Sequence, residues 1–122
     1  MLVGVGADLV EVARITQLCQ KDNRRQRLFT KEELAAAEKS GHEMETLAGY
    51  FAVKEAVGKA LGTGLAGISW QDIQVVYQDT GKPKAVLVGA AAAKAKELQI
   101  KKLEISISHT AGLAMAFAVA EG

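Results

Sequence analysis

Cysteine, aromatic side chains and net charge are all scarce in this chain, and each scarcity removes a class of function. A single cysteine, Cys19, excludes an internal disulfide and any multi-cysteine metal site, and it fits a reducing compartment. Cys19 itself reads as a packing residue. Aromatics make up 5% of the residues, too few for a stacking platform along single-stranded nucleic acid. A formal net charge of +1 argues against bulk attraction to a polyanion. No stretch approaches the roughly 20 apolar residues that a membrane span needs. No basic N-terminal region leads into an apolar core, so no signal peptide is read and a cytoplasmic protein is expected. Linkers, internal repeats and low-complexity tracts are also missing, which predicts one domain over 1–122.

What is present is a chain that is 49% hydrophobic and rich in alanine. Alanine buries little area per residue, so a domain this small tends to complete its core by oligomerising. "MLVGVGADLV" reads as a buried strand ending near Asp8, and "EVARITQLCQKD" as a helix with Val12, Ile15, Leu18 and Cys19 on one face. "NRRQRLF" suggests a short helical turn. "TKEE" is a capping box, so a helix should start after Thr30 and stop at Gly41. A long helix follows from about Glu43 to Leu61, capped by Gly62 and Gly64. The second half alternates. "SWQDIQVVY" reads as a strand, "QDTGKP" as a turn and "KAVLV" as the returning strand. "GAAAAKAKELQ" is helical by propensity. "KLEISISHT" and "LAMAFAVAE" alternate at the strand period around a turn at "AG". In the last strand one face is large (Leu113, Met115, Phe117, Val119) and is expected to pack a core. The other is all alanine, which suggests close approach of a helix or another subunit. The order implies an α+β fold, an antiparallel sheet packed on a long buried helix.

Two phosphate motifs fail on spacing. Gly4-Val5-Gly6 would need a third glycine where Leu9 stands, and Gly81-Lys82 lacks both the following hydroxyl and the upstream glycine. The chemistry-bearing residues lie elsewhere, each open to a plain reading. Asp8 suits a helix N-cap or a carboxylate presented to a metal. The long helix is apolar nearly all round, with Ala48, Ala52, Ala56 and Ala60 forming one ridge, yet it carries Glu55 and Lys59 one turn apart. These two are either a surface ion pair or a carboxylate and an ammonium holding a cation and a phosphate side by side. Lys54 reads as solvated or snorkelling. His109 shares a face with Ile105 and Ile107, as a core histidine would, while Ser108 and Thr110 beside it offer hydroxyls to a phosphate. His42 reads as surface. In "KDNRRQR", Lys21, Arg24, Arg25 and Arg27 face only Asp22. That is a solvated face or a dock for an acidic partner.

Taken in order, "GVGADLVEVARI", "FTKEEL", "FAVKEAVGKALGTGL", "DTGKP" and "ISISHTAGLAMAFAVAE" resemble the holo-[acyl-carrier-protein] synthases, the small 4'-phosphopantetheinyl transferases, over nearly the whole chain. The resemblance implies their fold, a trimer with sites between subunits, and their reaction. The 4'-phosphopantetheine arm of coenzyme A passes to a serine of apo acyl carrier protein, with magnesium as cofactor. By motif, Asp8 and Glu55 would hold the metal, and Lys59 would contact the phosphates at the reacting centre. Gly62, Lys82, Pro83, His109 and Thr110 would line the coenzyme A site. Arg14, Lys21, Arg24 and Arg25 would face the acidic carrier protein. The same chemistry on a polyketide or other secondary-pathway carrier protein, or a trimer that only holds a nucleotide, are the alternatives. The pattern departs at Tyr50, where the family typically has an arginine that would contact a phosphate or a neighbouring chain. Arg25 and Arg27 are the candidates to replace it.

Overall fold

The computed structural model describes residues 1–21 and 23–122; Asp22, the lone acid of the basic segment, lies outside the described residues. The first strand, β1, is Leu2–Glu11. It is longer than its apolar composition suggests, so Asp8 sits within the strand and is not a helix N-cap. Helix α1 (Val12–Cys19) starts three residues past Asp8's neighbour Leu9, behind Glu11, and has no side-chain cap. Helix α2 (Arg24–Leu28) is the expected short turn. Helix α3 (Lys31–Lys39) opens with the expected capping box: Glu33 N donates to Thr30 Oγ1, and Thr30 N donates to Glu33 Oε1.

Helix α4 (Glu43–Ala60) is buried along most of its length. "SWQDIQVVY" is only partly a strand. Trp70–Asp72 form a 3-10 turn capped by Ser69, and strand β2 (Ile73–Tyr77) begins after it. The aromatic Trp70 belongs to the turn because its ring stacks on Phe51 of α4, with ring centroids 4.9 Å apart. Strand β3 (Pro83–Leu87) pairs back on β2 as a separate antiparallel hairpin. Helix α5 (Gly89–Glu97) leads to β4 (Lys102–Thr110) and β5 (Leu113–Glu121). These last two join β1 in a three-stranded antiparallel sheet of order β1-β5-β4.

Helix α4 lies on this sheet through a seam of small residues. Ala114, Ala116, Ala118 and Ala120 of β5 are all buried beneath it, as is the α4 alanine ridge. Gly4 and Gly6 of β1 are glycines for the same reason. A Cβ on Gly6 would stand 1.9 Å from the Ala56 carbonyl oxygen, and one on Gly4 would stand 2.1 Å from that of Ala60. Backbone therefore meets backbone where the sequence hints at a nucleotide loop. The expectation for the large face of β5 inverts. Met115 and Phe117 are 40% and 42% exposed, beside Val5 and Leu9 of β1 at 50% and 64%. The alanine face packs the core because a helix can approach small side chains closely, which leaves the bulky face outward.

The long helix is also pinned from its far side. Lys54 is fully buried, not solvated or snorkelling: its ammonium donates to the carbonyls of Trp70 and Ile73 and lies 3.0 Å from Glu33 Oε1. Glu33 Oε2 in turn accepts from Val75 N. Burial pulls the Lys54 ammonium below its ordinary pKa, and the Glu33 carboxylate pulls it back up. Each group has partners for its charge and its lone pairs, as a buried ion pair requires.

Candidate active site

Strand alternation places Asp8 on the same face as Gly6 and Val10, the face that meets α4. The glycine contact draws β1 against the C-terminal half of α4, and this brings Asp8 to the turn that carries Glu55 and Lys59. Lys59 Nζ donates to the Ala7 carbonyl oxygen at 2.9 Å and lies 3.5 Å from Asp8 Oδ1. Burial raises the pKa of Asp8 against the opposing pull of Lys59. Burial also raises that of Glu55, and the negative charge of Asp8 adds to the rise. The two carboxylates thus feel each other. Arg14 lowers both, and its guanidinium stands 5.9 Å from the Phe51 ring centroid. The charge of Arg14, on α1, therefore acts on both carboxylates although its side chain is exposed.

Two carboxylates that repel each other, next to an ammonium, form a hard-oxygen donor set. That set fits a magnesium ion, which takes one or two carboxylates and fills its remaining positions with water and phosphate oxygens. Among the described residues no group of three or more His, Cys, Asp or Glu side chains gathers into a fuller metal cage. Gly62 follows α4 with φ +81°, and its N–H donates to the Lys59 carbonyl, so Lys59 sits in the last turn of the helix.

The remaining site residues lie on the other edge of the sheet. His109 is on β4, paired with Ala114 of the middle strand, which pairs in turn with Val10 of β1. Its Nε2 lies 2.8 Å from the Glu45 carbonyl oxygen, against the N-terminal half of α4. His109 shares a cavity of about 230 Å³ with Pro83 and Tyr77 of the hairpin and with His42. His42 is therefore a cavity-lining residue beyond the surface role its sequence context suggests. No local signal marks it, since it reaches the cavity through the start of α4. Thr110 is exposed beside His109. Lys82 points to a neighbouring lysine-rich cleft and lies 3.0 Å from Glu104 Oε2. A larger cavity of about 490 Å³, between the chain termini and the α5–β4 corner, takes in none of these residues.

Tyr50 is buried below Tyr77, ring centroids 6.3 Å apart, and burial followed by the Tyr77 hydroxyl pushes its phenol far above the ordinary value. It is a packing residue here. Arg25 is held 3.9 Å from Glu43, while Lys21, Arg24 and Arg27 are exposed next to α1.

The chain matches the model of the 4'-phosphopantetheinyl transferase superfamily over residues 4–118. It is 44% identical over 123 residues to the holo-[acyl-carrier-protein] synthase of Caldanaerobacter subterraneus subsp. tengcongensis, covering 100% of this chain and 97% of that one. Its structure is similar to that of the holo-[acyl-carrier-protein] synthase from Neisseria meningitidis, with TM-score 0.88, 35% identity and complete coverage of both chains. It is also similar to the Helicobacter pylori holo-[acyl-carrier-protein] synthase in complex with coenzyme A. There the TM-score is 0.82 and the identity 31%, over 96% of this chain and 99% of that one.

Proposed function

The chain belongs to the 4'-phosphopantetheinyl transferase superfamily, and on that premise we propose that it transfers the 4'-phosphopantetheine group of coenzyme A to a serine of apo acyl carrier protein. The products are holo carrier protein and adenosine 3',5'-bisphosphate. The observation that carries this reading is the convergence of Asp8, Glu55 and Lys59, from two elements, in a chain aligned end to end with such synthases.

The serine oxygen attacks the phosphorus on the pantetheine side of the pyrophosphate. The bond to the bridging oxygen breaks, and the serine proton passes to a base. Negative charge grows on the non-bridging and leaving oxygens. Lys59, anchored at Ala7 and Asp8, is a fixed cation for that charge. Asp8 and Glu55 are the residues that would hold magnesium, which would supply charge neutralisation at the phosphate oxygens. A carboxylate made more basic by burial is also suited to take the serine proton.

The nucleotide end is assigned to His109, Thr110 and Pro83, with Gly62 and Lys82 near the two ends of the cofactor. Because Asp8 and His109 lie on opposite edge strands with α4 seated between them, a single coenzyme A reaches both sets most simply across a junction of two copies. The exposed apolar face of β1 and β5 supports such an assembly, a homotrimer, since contiguous surfaces of this kind mark interaction sites. Arg14, Lys21, Arg24 and Arg25 form the dock for an acidic carrier protein in a cytoplasmic setting. No described helix is long and apolar enough to cross a membrane.

The test is the intact mass of apo acyl carrier protein after incubation with this protein, coenzyme A and magnesium, beside an EDTA control. A phosphopantetheine-sized gain that EDTA abolishes is expected. No gain with any carrier protein would remove the reading.

A further inference from the structure

The cavity on the β4 edge has a chemistry of its own. Its walls include His42, Thr46, Tyr77, Pro83, Ile107 and His109, and no lysine or arginine lines it. The tautomers of both histidines follow from their neighbours. Ser40 Oγ donates its proton to the Ala37 carbonyl at 2.6 Å, and Thr46 Oγ1 donates its proton to Ser40 Oγ at 3.0 Å. The Thr46 hydroxyl then has only lone pairs left for His42 Nδ1, 3.0 Å away. His42 Nδ1 therefore carries the hydrogen, and in the neutral ring Nε2 is a free acceptor. His109 Nε2 faces the carbonyl oxygen of Glu45 at 2.8 Å, which can only accept, so its hydrogen is on Nε2 and Nδ1 is the acceptor. Both histidines, each with one ring nitrogen left to accept, line the same cavity as Tyr77 and Pro83, which are paired across the hairpin.

Such a cavity suits a flat ring that carries an N–H donor. It disfavours a carbonyl at the same position, which would face lone pairs with no hydrogen between them. We propose that His42 reads the exocyclic 6-amino group of the adenine of coenzyme A, with the purine lying against Tyr77 and Pro83. The Ser40–Thr46 relay is what holds His42 in the accepting tautomer. The proposal rests on the reading of this edge as the nucleotide end, and it adds a specificity residue to it. The relay joins Ser40, at the end of α3, to His42 and Thr46 at the start of α4, so the device is local.

The experiment compares coenzyme A with its hypoxanthine analogue, in which a carbonyl replaces the amino group. It uses the wild type, His42→Phe and Thr46→Val. Calorimetric binding of adenosine and inosine 3',5'-bisphosphate runs in parallel. The wild type should prefer the amino form about fivefold to tenfold in kcat/KM, the scale of one hydrogen bond plus one unsatisfied acceptor. His42→Phe keeps a ring and removes the acceptor, and should bring the ratio close to one mainly by weakening the amino form. Thr46→Val frees the tautomer and should narrow the ratio in part. An unchanged ratio in His42→Phe overturns the proposal while transfer from coenzyme A still stands. Preference for adenosine bisphosphate without transfer would sustain the base reading and remove the reaction. Equal binding of the two bisphosphates by the wild type would overturn the role of His42 whatever the reaction. His42 is exposed and makes no helix-capping bond with its side chain, so the substitution should leave folding intact, which circular dichroism checks.

Discussion

Glu55 is the residue whose environment and role are most closely tied. Its carboxyl is raised above the ordinary range by burial and by the charge of Asp8. A raised pKa means that the folded state holds its proton more tightly than the unfolded state. Without metal, the contribution of Glu55 to stability is then fully present at low pH and is lost as pH rises from the ordinary carboxylate range through the raised value. Thermal unfolding in EDTA should show this fall, and magnesium should reverse it at neutral pH. Glu55→Gln should abolish transfer and yet melt at or above the wild-type temperature in EDTA at neutral pH. A variant that retains activity would take Glu55 out of the chemistry. Lys54, one residue earlier, should behave in the opposite way. Lys54→Met strips the buried Glu33 carboxylate of its cation and the Trp70 and Ile73 carbonyls of one donor each, at a cost of about 3–5 kcal/mol in urea unfolding. Adding Glu33→Leu should not restore stability, because Glu33 also satisfies the backbone N–H groups of Thr30 and Val75.

At the scale of elements, the contact of β1 with α4 sets the distance between Asp8 and the Glu55–Lys59 turn. Gly6→Ala puts a methyl group 1.9 Å from the Ala56 carbonyl, and backbone rather than a flexible side chain must yield. Overpacking of this kind costs about 1–3 kcal/mol. It should also lift β1 from the helix, so kcat should fall more than the loss of folded protein explains. Activity per folded molecule, measured well below the melting temperature, separates the two effects. A proportional loss would mean that the seam serves stability alone.

For the whole molecule, the division of the candidate site between two edges of one sheet has a direct consequence. If coenzyme A lies at a junction, Glu55→Gln and His109→Ala chains, each weak alone, should recover part of the wild-type activity when unfolded and refolded together. A hybrid assembly contains some junctions with an intact Glu55 from one copy and an intact His109 from the next. Light scattering should show an oligomer. Phe117→Lys, on the exposed sheet face, should shift it towards monomer and depress activity with little effect on the folded core. An active monomer would remove the shared-site picture. Charge reversal at Arg14 should raise KM for carrier protein more than for coenzyme A. Its influence on Asp8 and Glu55 predicts a smaller fall in kcat as well.

The sequence by itself determined what is local and periodic. The capping box at Thr30, the extent of α4, the β4–β5 alternation and the turn at Ala111–Gly112 are all written in residues a few positions apart. The ordered motifs around Asp8, Glu55 and His109 were legible too, and they carried the family. Only the tertiary structure decided which face of β5 is core, because alternation marks two faces without saying which of them a helix will cover. It also decided that Lys54 is buried, since its partners Glu33, Trp70 and Ile73 lie 16 or more positions away in the chain. His42 enters its cavity for the same reason: β4 and the β2–β3 hairpin fold against the start of α4. Short-range patterns fix elements, whereas contacts between distant segments depend on how closely small residues let those elements approach.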